Sequence, residues 1–243
     1  MTHDPKLNAL LDSFETIFIA DEVWKSLFDY TKSLGIEALS YYHLPPPGAM
    51  DFDEKIFIAH GFKTENIADY RRRHPFFSSP FQDRTLPLDQ PLFWSGIQKN
   101  LSFSEKQWAH LKSFYFTSHL NGLAIPVHGP NNRNGCVVLR FEDADRRYTP
   151  SEVRKLQWAS QYAHQSFCIL QAKRRKKPRS LTTREQEILT WVARGKSNSV
   201  IADIVGISQH TVNGYLRRIY LKTGTSDRTA ASVRGIGEAL INY

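Results

Sequence analysis

One face of a short helical stretch near the end of the chain carries the side chains best suited to recognise another molecule. Within residues 208–222, apolar side chains recur three and four positions apart at Val212, Leu216 and Ile219, which is the spacing of a buried helix face. The opposite face of this predicted helix is polar, with Gln209, His210, Asn213, Gly214, Arg217 and Arg218. Gln and Asn can pair with the edge of adenine and Arg with that of guanine. This face therefore predicts hydrogen bonding to DNA bases, with the glycine permitting close approach.

Two further predicted helices position that face. The first begins at Thr182 or Thr183, either of which can cap it, and ends at Gly195. The second spans about 198–205, and a glycine-containing turn at 206–208 leads into the third. A helix, a short turn and a second helix of this size form a helix-turn-helix arrangement.

Positive charge is concentrated around this helical unit. The chain has a formal net charge of +8, and the segment 171–180 alone contains six Lys and Arg residues with no acidic residue. Residues 181–243 hold eight basic residues against five acidic ones, so the first 171 residues are close to neutral. Localised positive charge beside a small helical domain is typical of a protein that binds a polyanion. The start of the second helix favours anions, which predicts phosphate contacts for Lys196 and Ser197, and Lys222 extends them.

The first 170 residues have a different pattern, with strands enclosed by helices. Hydrophobic periodicity predicts helices over 5–33, 104–118 and 149–170, strands over 35–44 and 55–62, and a hairpin over 121–142. The predicted fold is α+β, with an N-terminal α-β-α sandwich and a C-terminal four-helix helix-turn-helix domain. We place the sandwich at residues 1–170, a basic linker at 171–180 and the helical domain at 181–243. The alternative for the linker is a solvated end of the preceding helix.

The sequence argues against several other classes of protein. It contains no apolar run long enough to cross a membrane, no secretory signal, and no HExxH, GxSxG, P-loop or GxGxxG motif. Its two cysteines, Cys136 and Cys168, lack metal-type spacing and fit a reducing compartment. We therefore expect a cytoplasmic protein that is not an enzyme, with no catalytic residues, no metal and no cofactor.

The helical unit resembles the DNA-binding domain of LuxR-type transcription regulators. The motifs REQEIL, ARGK, IADIVGIS and TVNGYLRRIYLKTG follow one another in the family's order. The resemblance implies that Asn213, Gly214 and Arg217 face base edges. It also implies phosphate contacts from Lys196, Ser197, Thr211 and Lys222. The implied partners are double-stranded DNA, a second copy of the chain and RNA polymerase.

The preceding segments YRRRHPFFSSPFQDRTLPLDQPLFW and HLNGLAIPVHGPNNRNGCVVLRFE are similar to the autoinducer-binding domain of quorum-sensing LuxR regulators. The family binds acyl-homoserine lactones, and the resemblance implies a pocket lined by Phe62, Asn66, Tyr70, Ser79, Trp94 and Val138. Tyr70 and Trp94 match the family pattern, whereas Tyr, Trp and Asp are expected at Phe62, Asn66 and Ser79. The family's Asp accepts the amide N–H of the signal, a bond that Ser79 can replace only with a neutral one.

These departures leave several interpretations open. The pocket holds a more apolar signal, binds a lactone weakly, or has no ligand. In the last case the chain is a ligand-independent regulator whose N-terminal domain only dimerises. An apolar stripe on the helix over 149–170 is either core or a subunit seam, and it consists of Val153, Leu156, Ala163, Phe167 and Leu170.

Overall fold

The structure is a computed structural model that describes residues 4–54, 56–65, 67–68, 90–94, 104–105, 121–143, 145–175 and 179–241. The chain forms two compact units. The first comprises residues 1–44 and 55–174, and the second comprises Pro45–Glu54 together with Arg175–Tyr243. The prediction of a mixed helix and sheet fold followed by a helical domain is confirmed.

Two helices open the first unit where the periodicity predicts one over 5–33. Helix α1 spans Pro5–Thr16 and is capped by the Asp4 carboxylate, which accepts the backbone N–H groups of Lys6 and Leu7. Helix α2 spans Ala20–Lys32. The residues between them include Ile17 and Ile19 in extended conformation. β-Branched side chains lose rotamer freedom in a helix, which favours a break at this point.

An antiparallel sheet forms the centre of the first unit. Strands β1 (Ile36–Leu44), β2 (Phe57–His60), β3 (Leu92–Phe93), β4 (Gly122–Val127) and β5 (Asn134–Phe141) lie in the order β2-β1-β5-β4-β3. The hairpin predicted over 121–142 is present as β4 and β5, with Ala124 opposite Val138. The helix predicted over 104–118 lies outside the described residues except at its first two positions.

Helix α3, Pro150–Arg174, packs on one face of this sheet together with α1 and α2. It begins as predicted, with Thr149 Oγ1 accepting the N–H of Glu152 while the Glu152 carboxylate accepts the N–H of Thr149. Its predicted apolar stripe is buried at Leu156, Ala163, Phe167 and Leu170, with Val153 partly buried against the same core. The stripe is therefore part of the core, and the alternative interpretation that it forms a subunit interface is wrong. The helix continues through the first four residues of the basic segment 171–180.

Four helices make up residues 179–241 of the second unit, namely α4 (Thr183–Ala193), α5 (Asn198–Val205), α6 (Gln209–Thr223) and α7 (Arg228–Gly237). Their inner faces share one core that includes Ile188, Ile201, Val212, Leu216 and Ile219. The left-handed conformation of Gly206 ends α5 and directs the chain into α6.

The segment Pro45–Glu54 belongs to the same unit. Its Asp51 carboxylate, which is fully buried, pairs with Arg175 at 2.6 Å. Gly48 lies so close to Val233 that a Cβ atom at position 48 would be 2.2 Å from the Val233 carbonyl oxygen. Within the described part of the chain, no helix is both long enough and apolar enough to cross a membrane.

Candidate DNA interface and signal pocket

The helix-turn-helix unit owes its geometry to two serine caps. Ser197 Oγ accepts the N–H of Val200 at the start of α5, and Ser208 Oγ accepts the N–H of Thr211 at the start of α6. Buried Val212, Leu216 and Ile219 fix the rotation of α6 about its axis. Because the inner face is fixed, the polar face of α6 must point outward.

The predicted DNA contacts lie on this outward face and next to it. The exposed residues among them are Lys196, Ser197, Gln209, His210, Thr211, Asn213, Arg217 and Arg218. Gly214 is half-buried, and a Cβ atom placed on it would meet nothing within 4 Å. The Arg218 guanidinium lies 4.4 Å from the ring centroid of Tyr215, so a cation–π contact holds it along the helix surface.

Lys222 differs from the other predicted contacts because it forms an ion pair within the domain. Its ammonium group donates to Glu185 Oε2 at 2.6 Å, and the Glu185 side chain is only 4% exposed. Burial would raise the pKa of Glu185, but the hydrogen bonds from Lys222 and from the backbone N–H of Thr182 outweigh it and leave this pKa below its usual range. Lys222 therefore has a structural task beside the predicted phosphate contact.

A hydrogen-bonded chain behind Asn213 was not predicted from the sequence. Asn198 Nδ2 donates to Asn213 Oδ1 at 2.7 Å, and Asn198 Oδ1 accepts from Arg228 at 3.1 Å. Arg228 also donates to the backbone carbonyl of Lys196. These bonds fix the orientation of the Asn213 amide. The available sequence signal was an Asn directly after the Ser197 cap, fifteen residues before Asn213.

The second face of the sheet carries a separate apolar cluster, which we call the pocket floor. Its buried members are Tyr42, Phe57, Trp94, Ala124, Cys136 and Val138, with Leu44, Ala59, Phe62, Ile67 and Leu92 packed against them. Neighbouring residues on β1 and β5 belong to the opposite face, because side chains alternate along a strand. The floor thus brings together three residues of the predicted pocket, Phe62, Trp94 and Val138.

Two features shape the floor. Trp94 lies over Gly122, where a Cβ atom would be 2.5 Å from the Trp94 ring, so only glycine fits beneath it. At another edge, the Arg140 guanidinium lies 4.8 Å from the Phe62 ring centroid and pairs with the Glu37 carboxylate.

Burial raises the pKa of Cys136 to about 12, so its thiol is neutral.

The remaining predicted pocket residues, Asn66, Tyr70 and Ser79, lie outside the described residues. Sequence reasoning missed Tyr42, Phe57 and Cys136 as members of the floor. The signal in the sequence was the alternation of side chains along each strand. In the sheet, Tyr42 lies opposite both Phe57 on β2 and Cys136 on β5, so all three residues share one face.

The structure combines a helix-turn-helix domain that has an outward polar face with a sheet whose second face carries a buried apolar cluster. Two family models match the chain in agreement with this division. The model described as "Autoinducer binding domain" matches residues 19–167, and "Bacterial regulatory proteins, luxR family" matches residues 179–234. The chain belongs to the LuxR-type transcription regulators that carry an autoinducer binding domain. Regulators of this type bind autoinducer ligands rather than cofactors.

Known proteins similar to the chain include several regulators. The transcriptional activator protein AhyR of Aeromonas hydrophila is 24% identical over 239 residues, which are 95% of this chain and 90% of AhyR. The HTH-type regulator y4qH of Sinorhizobium fredii is 30% identical over 153 residues, and the match covers 62% of this chain and 46% of y4qH. The HTH-type quorum sensing-dependent transcriptional regulator RpaR of Rhodopseudomonas palustris is 30% identical over 122 residues, 50% of this chain and 49% of RpaR.

Two solved structures share the fold. SdiA in complex with octanoyl-rac-glycerol superposes with a TM-score of 0.70 over the full length of both chains, at 17% identity. Escherichia coli SdiA in another crystal form gives a TM-score of 0.71 over 98% of each chain, also at 17% identity. This likeness concerns the fold.

Proposed function

We propose that this chain is a cytoplasmic, non-enzymatic regulator that binds double-stranded DNA as a homodimer and changes DNA affinity when a small apolar signal binds its N-terminal domain. Its effect on transcription is exerted through RNA polymerase. We assign residues 1–170 to signal binding, 171–180 to a basic linker and 181–243 to DNA binding. The family membership and the outward polar face of α6 support this assignment.

The main support for the DNA-binding assignment is the glycine at position 214, in the middle of α6. A glycine in the middle of a helix costs about 0.5–1 kcal/mol relative to alanine. The fold gains nothing in return, because a Cβ atom at 214 would meet no atom within 4 Å. The missing side chain instead allows an external surface to approach the α6 backbone between Asn213 and Arg217. A DNA groove is a surface that this polar, basic face fits.

Replacement of Gly214 by alanine tests this assignment. Gly214→Ala should stabilise the domain by about 0.5–1 kcal/mol and weaken binding to the cognate DNA site. Gly206→Ala is the matched control, because its left-handed backbone (φ +67°) makes alanine destabilising. Thermal unfolding and DNA titration of both variants separate stability from recognition. Unchanged DNA affinity in Gly214→Ala would refute close approach at α6.

Base contacts and phosphate contacts are distinguished by their salt and sequence dependence. Arg217→Ala should cost about 1–3 kcal/mol on the cognate site and relax the preference for one base pair. Lys196→Ala should weaken binding to all sequences alike and lower the salt slope by roughly one unit. Gel-shift titrations at several salt concentrations measure both. If Arg217→Ala weakened binding to cognate and random DNA equally, as Lys196→Ala should, the proposed orientation of α6 would be contradicted.

The pocket floor supports an apolar signal. Its described buried members are aromatic or small, and SdiA, which shares the fold, has been solved with octanoyl-rac-glycerol. Ligand-induced thermal stabilisation should therefore be measured with a series of acyl-homoserine lactones and with octanoyl glycerol. Mass spectrometry of small molecules released from protein purified from its native host provides an unbiased search.

A floor variant separates signal binding from a domain that only dimerises. Val138→Phe should abolish the stabilisation by the active ligand, because the added ring fills the floor between β4 and β5. Val200→Phe, which makes the same substitution at an exposed valine of α5, is the control. Stabilisation by no member of the series, together with no released molecule, would favour the ligand-independent regulator.

Dimerisation is supported by the solvent face of α3. Trp158 and Ile169 on this face are 55% and 54% exposed, Tyr162 lies between them, and Phe18 beside α1 is 78% exposed. Exposed apolar patches of this kind mark association surfaces. Ile169→Glu should shift the protein towards monomer in analytical ultracentrifugation. Ile204→Glu places the same charge on an exposed isoleucine of α5 and should not. Association unaffected by Ile169→Glu would exclude this surface.

A further inference from the structure

An exposed leucine lies on the otherwise polar outer face of α6. Leu221 is 77% exposed, and it lies between Ile219 and Thr223, which are both buried in the domain. Successive residues of a helix are about 100° apart, so a residue two positions from each of these points away from the core. Leucine is usually favoured by burial of its apolar surface, and here the domain buries little of that surface.

This leucine shares a stripe of the helix with three residues of the proposed DNA interface. Gly214, Arg217 and Arg218 precede Leu221 by seven, four and three positions. Seven residues make almost two helical turns, so Gly214 and Leu221 face the same way and are about 10 Å apart along the axis. The recognition helix of a homeodomain contacts DNA bases through four residues with this same spacing. The stripe therefore has the geometry of a helix that lies along the major groove.

The basic neighbours on the same side of α6 are held away from the leucine. The Arg218 guanidinium lies over the ring of Tyr215, which is three residues before it, whereas Leu221 is three residues after it. The Lys222 ammonium group is held at 2.6 Å by the Glu185 carboxylate. The apolar side chain of Leu221 thus stays open to another molecule.

The chemistry of leucine restricts what it can recognise on DNA. Its side chain has no charge and no hydrogen-bonding group, so it gains nothing from a phosphate. In the major groove, every base edge presents donors or acceptors, and thymine alone adds a methyl group. We propose that Leu221 is a specificity-determining residue of α6 that contacts the C5 methyl group of a thymine. This role rests on the proposed DNA-binding function.

The contact would extend base recognition towards the end of α6. Helix-turn-helix domains read bases mainly with the first residues of the recognition helix. Gly214 allows the helix backbone to approach the groove, which also brings the next two turns, with Arg217 and Leu221, towards the bases. In zinc fingers, a seven-residue span of helix contacts about three successive bases. The selected thymine should therefore lie within about three base pairs of the base that Arg217 contacts.

The test begins with binding sites that the full-length protein selects from random double-stranded DNA. Each thymine of the selected site is then replaced by deoxyuridine, which lacks only the C5 methyl group. Wild-type protein should bind about fourfold more weakly when one particular thymine of a half-site is replaced, the equivalent of one buried methyl group. Leu221→Ala should bind the thymine and uracil sites equally. Leu221→Met keeps an apolar side chain and should keep most of the difference.

The control removes another exposed aliphatic side chain of the same domain. Ile204 on α5 is 45% exposed, and Ile204→Ala should retain the full preference for thymine. A uracil penalty that persists in Leu221→Ala, or that is absent in the wild-type protein, overturns the role of Leu221 and leaves DNA binding intact. Selection of no sequence at all overturns the proposed DNA-binding function, and this assignment with it.

Discussion

Glu185 joins two structural tasks in the DNA-binding domain, and its removal should destabilise that domain strongly. It completes the capping box of α4 with Thr182, and it receives the Lys222 ammonium group at 2.6 Å. Loss of a cap costs about 0.5–2 kcal/mol, and loss of a hydrogen bond to a charged group about 1.5–3 kcal/mol. Glu185→Ala should therefore cost roughly 2–5 kcal/mol, a large part of the stability of a domain of this size.

Hydrogen exchange read by mass spectrometry measures this effect in the full chain. Protection of the α4 amides should fall by roughly 30- to 4,000-fold in Glu185→Ala, since each 1.4 kcal/mol is tenfold. Lys222→Met removes the ion pair alone and should cost less, and the double variant should cost less than the sum of the two. Additive losses would refute the coupling between Glu185 and Lys222.

The same carboxylate predicts a dependence on pH. The folded-state pKa of Glu185 lies below its unfolded value, so its contribution is fully present above the unfolded pKa. The contribution is lost as the pH falls through the folded pKa. Protection of α4 should decline in mild acid in the wild-type protein and should decline less steeply in Glu185→Gln.

Three further outcomes are expected. Burial raises the pKa of Cys136 from 9.0 to about 12, so the stability that its neutral thiol provides is lost as the pH rises above 9, by roughly 1 kcal/mol at pH 10. Urea titration should show a smaller loss in Cys136→Ala. Gly122→Ala forces a Cβ atom to within 2.4 Å of the Leu139 carbonyl oxygen and should cost roughly 1–3 kcal/mol in thermal unfolding. Asn198→Ala should relax the base preference that we propose for Asn213 by about tenfold in competition gel shifts, with helix content retained.

The helical domain could be predicted closely because its signals are local. The Thr182 cap, the left-handed Gly206 and the Ser208 cap each act within a few residues, and they fix α4, α5 and α6. The break between α1 and α2 was missed because Ile17 continues the apolar period of a helix while its conformation is extended. The spacing of hydrophobic residues alone does not show that the backbone leaves the helical conformation at Ile17.

The groups brought together by long-range contacts could not be predicted in the same way. His43 and His164 are 121 residues apart and come together only because α3 packs on the sheet, so no sequence spacing indicates their pairing. Asn198 at the start of α5 and Arg228 at the start of α7 likewise form a hydrogen bond only when these helices pack together. On the pocket floor the alternation of the strands identifies which face a residue occupies, but the strand order decides which neighbours it has.

Among the described residues the sheet separates the pocket floor from the exposed face of α3, so a signal bound on the floor would act on that face through the sheet. Val138 belongs to the floor, whereas its neighbour Val137 belongs to the core against which α3 packs. Because interiors are densely packed, a shift of β5 on one face must be accommodated on the other. If signal binding strengthens dimerisation by a given factor, then dimerisation must strengthen signal binding by the same factor. Measuring signal affinity in wild-type protein and in monomeric Ile169→Glu therefore tests the coupling directly, and equal affinities would show that the α3 face and the pocket floor act independently.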